Sequence, residues 1–159
     1  MTEKSELHVG DKAPKFKATA VGGKYGAGKT VALEDFKGST VVLYFYPKDD
    51  TPGCTTQACG LRDAWSDFKK KAEVFGVSID PVKNHGKFIE KFDLPFPLLS
   101  DDSKKIVEDY GVWVEKSMYG KKYMGTERST FVIGADQTIK AILRKVKPAE
   151  HAAQLLAEL

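Results

Sequence analysis

VVLYFYPKDDTPGCTTQAC, residues 41–59, joins an apolar run to a segment with helical spacing and contains both cysteines of the chain. The apolar run predicts a buried strand over residues 40–46, and the apolar positions that follow predict a helix over residues 53–71. Cys54 therefore lies where a strand gives way to a helix, at the positive end of the helix dipole, which favours thiolate over thiol. With Cys59 five residues later, the segment has the layout of a reactive thiol with a second thiol close by.

Outward from this segment, strand-like and helix-like stretches alternate. Strands are expected at residues 16–21, 30–33, 73–79, 97–99, 129–133 and 138–143. Helices are expected from Asp80, as N-cap before Pro81 at the first helical position, to about residue 92, over residues 104–110, and from Pro148 onward. This order predicts one α/β domain over residues 1–159, with a mixed central sheet flanked by helices, a thioredoxin-like fold and an N-terminal β-hairpin extension.

Composition narrows the class of protein. The chain has 159 residues, 42% of them hydrophobic and 30% charged, with a net charge of +3, which is typical of a soluble globular domain. No apolar run approaches the ~20 residues of a membrane helix, and residues 1–8 contain no apolar core of a secretory signal. We therefore expect a cytoplasmic protein without membrane contacts. The dispersed lysines form no basic patch interleaved with aromatic residues, so no nucleic-acid partner is expected.

The sequence indicates no metal site and no other cofactor. Two cysteines are too few for a zinc site of four cysteines, and His8, His85 and His151 lie far apart without ligand spacing. We expect these three histidines at the surface or at helix ends. In a reducing compartment the two cysteines are not expected to form a structural disulfide.

Residues 23–30, GKYGAGKT, match the P-loop pattern G-x-x-x-x-G-K-[ST]. In that motif a strand leads into the loop and a helix leaves it, because backbone N–H groups and the helix N-terminus bind the phosphates. Here the β-branched Val31 follows, and seven residues separate Thr30 from Gly38, which is too short for a docking helix of normal length. We therefore expect a hairpin loop that binds no nucleotide.

Two interpretations of Cys54 are open from the residues around it. A cysteine is often a small buried hydrophobe, but Thr51, Pro52 and Gly53 are turn-forming residues that place this cysteine at a helix start. Thr51 is expected to cap the helix through its side chain, which would bring its hydroxyl beside the sulfur.

The motif around Cys54 carries a resemblance. Residues 47–54, PKDDTPGC, resemble the P-x-x-x-[TS]-x-x-C signature of the peroxiredoxins, and residues 44–59 are similar to the PrxQ branch, also called bacterioferritin comigratory protein. Residues 127–133, ERSTFVI, resemble the strand that supplies the catalytic arginine of that family. The resemblance extends over almost the whole chain, from Gly10 to the last helix.

The resemblance implies a thiol-dependent peroxidase that reduces hydrogen peroxide and organic hydroperoxides. Arg128 suits the role of active-site arginine, because a guanidinium stays protonated and presents its donors in a fixed fork. Its alternative role is a surface ion pair with Glu127 or Asp63. The implied site comprises Cys54 as the peroxidatic cysteine, Thr51 and Pro47 as its loop partners, Arg128, and Gly53 and Pro52 at the peroxide-binding position.

The second thiol suggests how the reaction ends. Peroxide converts a thiolate to a sulfenic acid, which condenses with another thiol, and Cys59 is the other cysteine in the chain. Five helical residues separate two Cα atoms by roughly 8.6 Å, beyond the ~7 Å reach of a disulfide. The first helical turns must therefore unwind, which Gly53 and Gly60 would ease. A thioredoxin or a glutaredoxin-type dithiol would then reduce the Cys54–Cys59 disulfide, and this intramolecular pairing predicts a monomer.

Two other functions would use the same cysteines. A thiol–disulfide oxidoreductase of the thioredoxin type would suit the fold, but its chemistry uses C-x-x-C, whereas the spacing here is C-x-x-x-x-C. The other is a peroxide-sensing redox relay protein, which passes its disulfide to a partner protein. No feature of the sequence distinguishes such a sensor from a peroxidase.

Overall fold

The structure, a computed structural model, describes residues 6–159. Its strands are β1 (Lys17–Val21), β2 (Lys29–Ala32), β3 (Val41–Phe45), β4 (Glu73–Ser78), β5 (Leu98–Ser100), β6 (Trp113–Met118), β7 (Lys121–Thr126), β8 (Ser129–Ile133) and β9 (Ile139–Leu143). Its α-helices are α1 (Pro52–Asp63), α2 (Trp65–Phe68), α3 (Val82–Phe92), α4 (Lys105–Asp109) and α5 (His151–Ala157). The absence of a secretory signal was expected from residues 1–8, of which the first five lie outside the described residues.

Seven strands form one mixed sheet in the order β2-β1-β5-β4-β3-β8-β9. The central strands β5, β4 and β3 are parallel, and antiparallel strands flank them on both sides. β1 and β2 pair antiparallel as the predicted N-terminal hairpin. The predicted mixed sheet flanked by helices is therefore confirmed.

β3 is an interior strand of the sheet, between β4 and β8, and is buried on both faces, which explains its uninterrupted apolar sequence. Successive side chains of a strand point to opposite faces. Val41, Leu43 and Phe45 accordingly belong to one apolar cluster, and Tyr44 and Tyr46 belong to the other.

The second cluster is covered by α1, α2, α3 and α5, through buried side chains that include Leu61, Phe68, Phe88 and Leu155. Cys54 is a member of this cluster. After the carboxyl end of β3, the chain thus continues into α1 on the face of the sheet where these helices pack together.

The prediction of one continuous helix over residues 53–71 is wrong. Ala64 adopts φ −101° and ψ 12°, which ends α1 and begins α2. Ala64 still takes part in helical hydrogen bonds on both sides of this break. Its N–H donates to the Gly60 carbonyl, and its carbonyl accepts from the Phe68 N–H. The chain therefore changes direction at one residue, and Phe68 reaches the core fully buried.

The predicted start of α3 is also wrong. Pro81 is extended, with ψ 162°, and occupies the N-cap position instead of the first helical position. The Asp80 carboxylate does not cap the helix, because it accepts hydrogen bonds from the Asp49 backbone N–H and from the Ser78 hydroxyl. Similarly, the last helix begins at His151, three residues after Pro148.

The hairpin of β6 and β7 had no counterpart in the prediction. Met118 pairs with Lys121 across a two-residue turn, in which Tyr119 and Gly120 both have positive φ, 53° and 77°. Such turns usually carry Asn-Gly or Asp-Gly. Because a tyrosine occupies the first turn position, the sequence pattern did not predict this hairpin.

The surface location expected for the histidines is wrong for two of the three. His85 and His151 are both fully buried, whereas the side chain of His8 is 71% exposed. Each buried imidazole is hydrogen-bonded to buried polar side chains. Both therefore occupy specific positions in the helical face of the core.

The P-loop-like segment is a hairpin connection. Residues 23–25 form a short 3-10 turn, and the chain then enters β2 at Lys29. No helix follows the loop, so no helix N-terminus faces the position of a phosphate. In addition, no helix within residues 6–159 is long and apolar enough to cross a membrane.

We predict that ATP with magnesium produces no binding heat in calorimetry at micromolar concentrations, with wild-type protein or with Lys29→Ala. The reason is that Lys29 opens a strand instead of a helix. Micromolar binding by the wild type that is lost in Lys29→Ala would contradict this assignment.

Candidate active site

Cys54 is the third residue of α1, after Thr51 at the N-cap and Pro52 at the first helical position. Its side chain is 2% exposed and packs in the helix-covered cluster. The N–H groups of Gly53 and Cys54 are among the first four of the helix, which have no partner within it. A negative sulfur is stabilised by these donors and by the helix dipole.

Arg128 lies between β7 and β8 and contacts this sulfur. Its Nη1 is 3.4 Å from the Cys54 Sγ and donates a 2.6 Å hydrogen bond to the Gln57 Oε1. Gly53 makes room for it, since a Cβ at that position would lie 3.1 Å from the Arg128 Nη2. The guanidinium therefore fits against the first turn of α1 because residue 53 is glycine.

The alternative ion pairs for Arg128 are not formed. Asp63 pairs with Arg62, and Glu127 pairs with Arg144 and accepts a hydrogen bond from the Ser129 hydroxyl. The guanidinium of Arg128 is directed to the sulfur and to Gln57 instead.

The loop before Cys54 differs from the prediction at Thr51. Its Oγ1 donates to the Lys48 carbonyl at 2.9 Å, and it makes no side-chain capping bond to α1. The predicted side-chain cap is therefore wrong, although Thr51 does occupy the N-cap position. Pro47 is half-buried at the start of the loop, and Pro52 is exposed at its end.

A buried polar cluster that the sequence did not reveal holds this loop. The His85 Nδ1 lies 2.6 Å from the Asp49 Oδ2, and its Nε2 lies 2.9 Å from the Leu99 carbonyl. The ring is therefore held between the loop and β5 by contacts at both of its nitrogens. The Tyr46 hydroxyl donates to the Asp49 Oδ1 at 2.5 Å, and burial, followed by the Asp49 charge, raises the pKa of Tyr46 well above its ordinary value.

The same loop is tied to β4 through its backbone. The Asp49 N–H donates to the Asp80 Oδ2 at 2.9 Å, and the Ser78 hydroxyl donates to the same oxygen at 2.6 Å. Asp49 therefore fixes the loop by its carboxylate and by its N–H. No local pattern signals the contact with His85, because 36 residues separate the two.

Cys59 lies on the same continuous helix as Cys54, and both thiols are free. Cys59 is half-buried whereas Cys54 is buried. Helical geometry places their Cα atoms roughly 8.6 Å apart, too far for a disulfide, which needs Cα atoms within ~7 Å. This arrangement is that of a reduced site.

The hairpin of β6 and β7 borders the site. Burial, followed by the positive charge of Arg128, lowers the pKa of the half-buried Lys116 on β6. A Cβ at Gly125, on β7, would lie 3.1 Å from the Lys116 Cδ. The Lys116 side chain therefore lies along the β6–β7 hairpin, close enough to Arg128 for the two charges to interact.

No group of three metal-ligating side chains is found within residues 6–159. A buried thiol at a helix start, a guanidinium on its sulfur and a second thiol on the same helix together support thiol redox chemistry.

Comparison with known proteins agrees with this chemistry. Residues 9–142 match the model of the AhpC/TSA family. The peroxiredoxin Bcp of Bacillus subtilis is 47% identical over 154 residues, which cover 96% of this chain and 95% of the relative.

Solved structures give the same result. The PrxQ of Xylella fastidiosa superposes with a TM-score of 0.87 at 34% identity and covers 97% of this chain and 96% of its own. The bacterioferritin comigratory protein of Xanthomonas campestris, described for alkyl peroxide reduction activity, has a TM-score of 0.81 at 38% identity, with 89% and 88% covered. The predicted thioredoxin-like fold is thereby confirmed, and the chain belongs to the AhpC/TSA family, among the Bcp or PrxQ peroxiredoxins.

Proposed function

We propose that Cys54 is the peroxidatic cysteine of a thiol-dependent peroxidase that reduces hydrogen peroxide and organic hydroperoxides. The observation that carries this proposal is the 3.4 Å contact between the Arg128 Nη1 and the buried Cys54 Sγ at the start of α1. An ordinary cysteine, with a pKa of ~8.5, supplies little thiolate at neutral pH. A fixed cation and a helix N-terminus together favour the anion that attacks peroxide.

In the first step the Cys54 thiolate attacks one oxygen of the hydroperoxide. A sulfur–oxygen bond forms, the O–O bond breaks, and the leaving alkoxide or hydroxide takes a proton to become an alcohol or water. Arg128 and the backbone N–H groups of Gly53 and Cys54 donate to the oxygen on which negative charge develops. Thr51 and Pro47 hold the loop that borders the peroxide, and Pro52 starts the helix with a fixed φ.

In the second step the Cys59 thiol attacks the Cys54 sulfenic acid. The sulfur–sulfur bond forms and water leaves, so the peroxide has been reduced and two thiols have been oxidised. Because the helical separation exceeds disulfide reach, α1 must lose its first turns before this bond forms. Gly53 and Gly60, at the start of the helix and just after Cys59, lower the cost of unwinding.

A dithiol reductant completes the cycle, and we propose thioredoxin or a glutaredoxin-type protein. Cys59 is more exposed than Cys54, which supports reduction by exchange at the outer sulfur. A monomer of one domain needs no second subunit for resolution. The single domain, the monomer and the cytoplasmic location stay predictions from the sequence.

Burial of Cys54 argues against the thiol–disulfide oxidoreductase. Cys54 is only 2% exposed, and such burial hinders direct attack by its sulfur on the disulfide of a folded protein. A peroxide sensor would use the same contacts as a peroxidase, and rapid turnover with a thioredoxin system separates the two.

Cys54→Ser should abolish peroxide consumption in the presence of thioredoxin and its reductase, since a hydroxyl is too basic to replace a thiolate. Circular dichroism should show an unchanged fold. A serine variant that keeps more than about a tenth of the wild-type rate would be incompatible with nucleophilic catalysis by Cys54.

Arg128→Met should slow oxidation of Cys54 by about a hundredfold, the usual effect of removing one preorganised donor. Stopped-flow fluorescence with excess peroxide measures this step directly. The matched control is Arg62→Met, which removes a guanidinium paired with Asp63 at the other end of α1 and should keep the wild-type rate. Equal rates for the two variants would remove Arg128 from the site.

Oxidation should speed amide hydrogen exchange over residues 53–61, because the disulfide cannot form on an intact helix. Wild-type protein should lose two hydrogens in intact mass after one equivalent of peroxide, whereas Cys59→Ser should gain one oxygen and then a second. Identical exchange in the two redox states would mean that Cys59 does not resolve within the chain.

A further inference from the structure

A chain of buried polar contacts continues behind Arg128, away from the sulfur. The Gln57 Nε2 lies 3.1 Å from the His151 Nδ1, and the His151 Nε2 lies 2.7 Å from the Thr130 Oγ1. Gln57, His151 and Thr130 are each at most 1% exposed. The contacts therefore link α1, α5 and β8 inside the core.

The direction of every hydrogen bond in this chain is set by Arg128. A guanidinium only donates, so the Gln57 oxygen must face it, and the Gln57 amide nitrogen must face His151. An amide nitrogen only donates, so the His151 Nδ1 must accept. The hydrogen of the neutral ring is then on Nε2 and is donated to the Thr130 hydroxyl.

This arrangement requires a neutral imidazole. Burial, followed by the positive charge of Arg128, lowers the pKa of His151 to about 4. A proton on Nδ1 would force the Gln57 amide to rotate and to present its NH₂ group to the guanidinium. The ring is also held in place by Tyr44, whose ring centroid lies 5.6 Å from that of His151.

We propose that Gln57 and His151 are positioning residues that hold the Arg128 guanidinium on the Cys54 sulfur, so that the C-terminal helix α5 contributes to the reactivity of the thiol. His151 acts by accepting from Gln57, which fixes the amide and leaves one orientation for its oxygen. This inference rests on the proposed peroxidase function. It adds to the site His151, which lies 97 positions after Cys54 in the sequence.

Packing supports the same role for α5. Leu155 is fully buried in the cluster that contains Cys54. A Cβ at Gly60 would lie 3.9 Å from the Ala152 Cβ, and one at Gly53 would lie 3.5 Å from the Pro148 Cγ. α5 and the segment that precedes it therefore contact α1 along the turns that carry both cysteines, and His151 is the polar contact of α5 with them.

Two nearly isosteric variants separate positioning from packing. His151→Asn keeps an acceptor where Nδ1 was, whereas His151→Leu removes it and leaves the Gln57 NH₂ group without a partner. We expect His151→Asn to oxidise Cys54 within about threefold of the wild-type rate and His151→Leu to lose about tenfold or more, because small displacements of a catalytic group are costly. Gln154→Leu, an exposed change on the same helix, should have no effect.

A purely structural role predicts that the reaction rate of each variant follows the stability of its fold, whether or not an acceptor faces the Gln57 amide. Urea midpoints report the stability of both proteins and stopped-flow rates report their reactivity. The inference is overturned if His151→Leu reacts as fast as the wild type, or if His151→Asn is as slow as His151→Leu.

A second readout does not depend on peroxide. In a Cys59→Ser background, ultraviolet absorbance measures the fraction of Cys54 present as thiolate at pH 7, and this fraction should fall for His151→Leu but not for His151→Asn. If the wild type fails to reduce peroxide, the proposed function fails, while this ordering still decides the positioning role.

A second single variant, on α1, covers the case in which His151→Leu does not fold. Gln57→Leu breaks the same chain of contacts from α1 and should lose about tenfold or more in rate as well, since residues of one network are not independent. Where all three fold, the double variant Gln57→Leu/His151→Leu should be no slower than the slower single variant. Additive losses, or an unchanged rate for Gln57→Leu, would overturn the inference.

Discussion

The contact between the Arg128 guanidinium and the Cys54 sulfur depends on the pairing of two strands. β3 and β8 are antiparallel neighbours, with Phe45 opposite Ser129, so the end of one strand meets the start of the other. Cys54 follows the end of β3, and Arg128 immediately precedes β8. The sheet order therefore brings a cation to a thiol 74 residues away, and a change in that pairing would separate them.

Two buried polar networks keep the two sides of this contact in place. Asp49 and His85 fix the loop that precedes Cys54 through a buried hydrogen bond, and Gln57 accepts a hydrogen bond from the guanidinium of Arg128. Buried polar groups are costly unless each has its partners. That both networks lie on the helix-covered face of the sheet explains why α3 and α5, which carry no cysteine, belong to the functional part of the molecule.

Local sequence predicted those parts of the molecule that local physics determines. The apolar run of β3, the turn residues before Cys54 and the strand that follows Arg128 each carry a short-range signal. The segment with the P-loop pattern was predicted to be a hairpin loop because too few residues follow it for a docking helix, and a strand does follow it. Gln57 was within reach of sequence reasoning as well, because it lies three residues after Cys54 and residues at that spacing share a helix face.

Several of the errors share one physical origin, which is competition from distant partners. His85 and His151 were expected at the surface or at helix ends as lone histidines without ligand spacing, whereas Asp49 and Thr130 contact these buried rings from other elements. Asp80 was assigned to a helix cap, but the Asp49 N–H competes for its carboxylate. The hairpin of β6 and β7 was not predicted because its turn has Tyr119 where asparagine or aspartate is usual.

Gln57 lies between the two cysteines on α1, and in the proposed cycle this position gives catalysis an order. The turn that would open for the disulfide is the turn that holds the guanidinium, so resolution of the sulfenic acid would also take apart the pocket around it. The oxidised molecule would then have neither a free Cys54 thiol nor an assembled site for a second peroxide, and it would regain both only when its helix reforms after reduction. Peroxide and reductant would consequently act in alternation, a ping-pong sequence in which the backbone of one helix follows the oxidation state of Cys54.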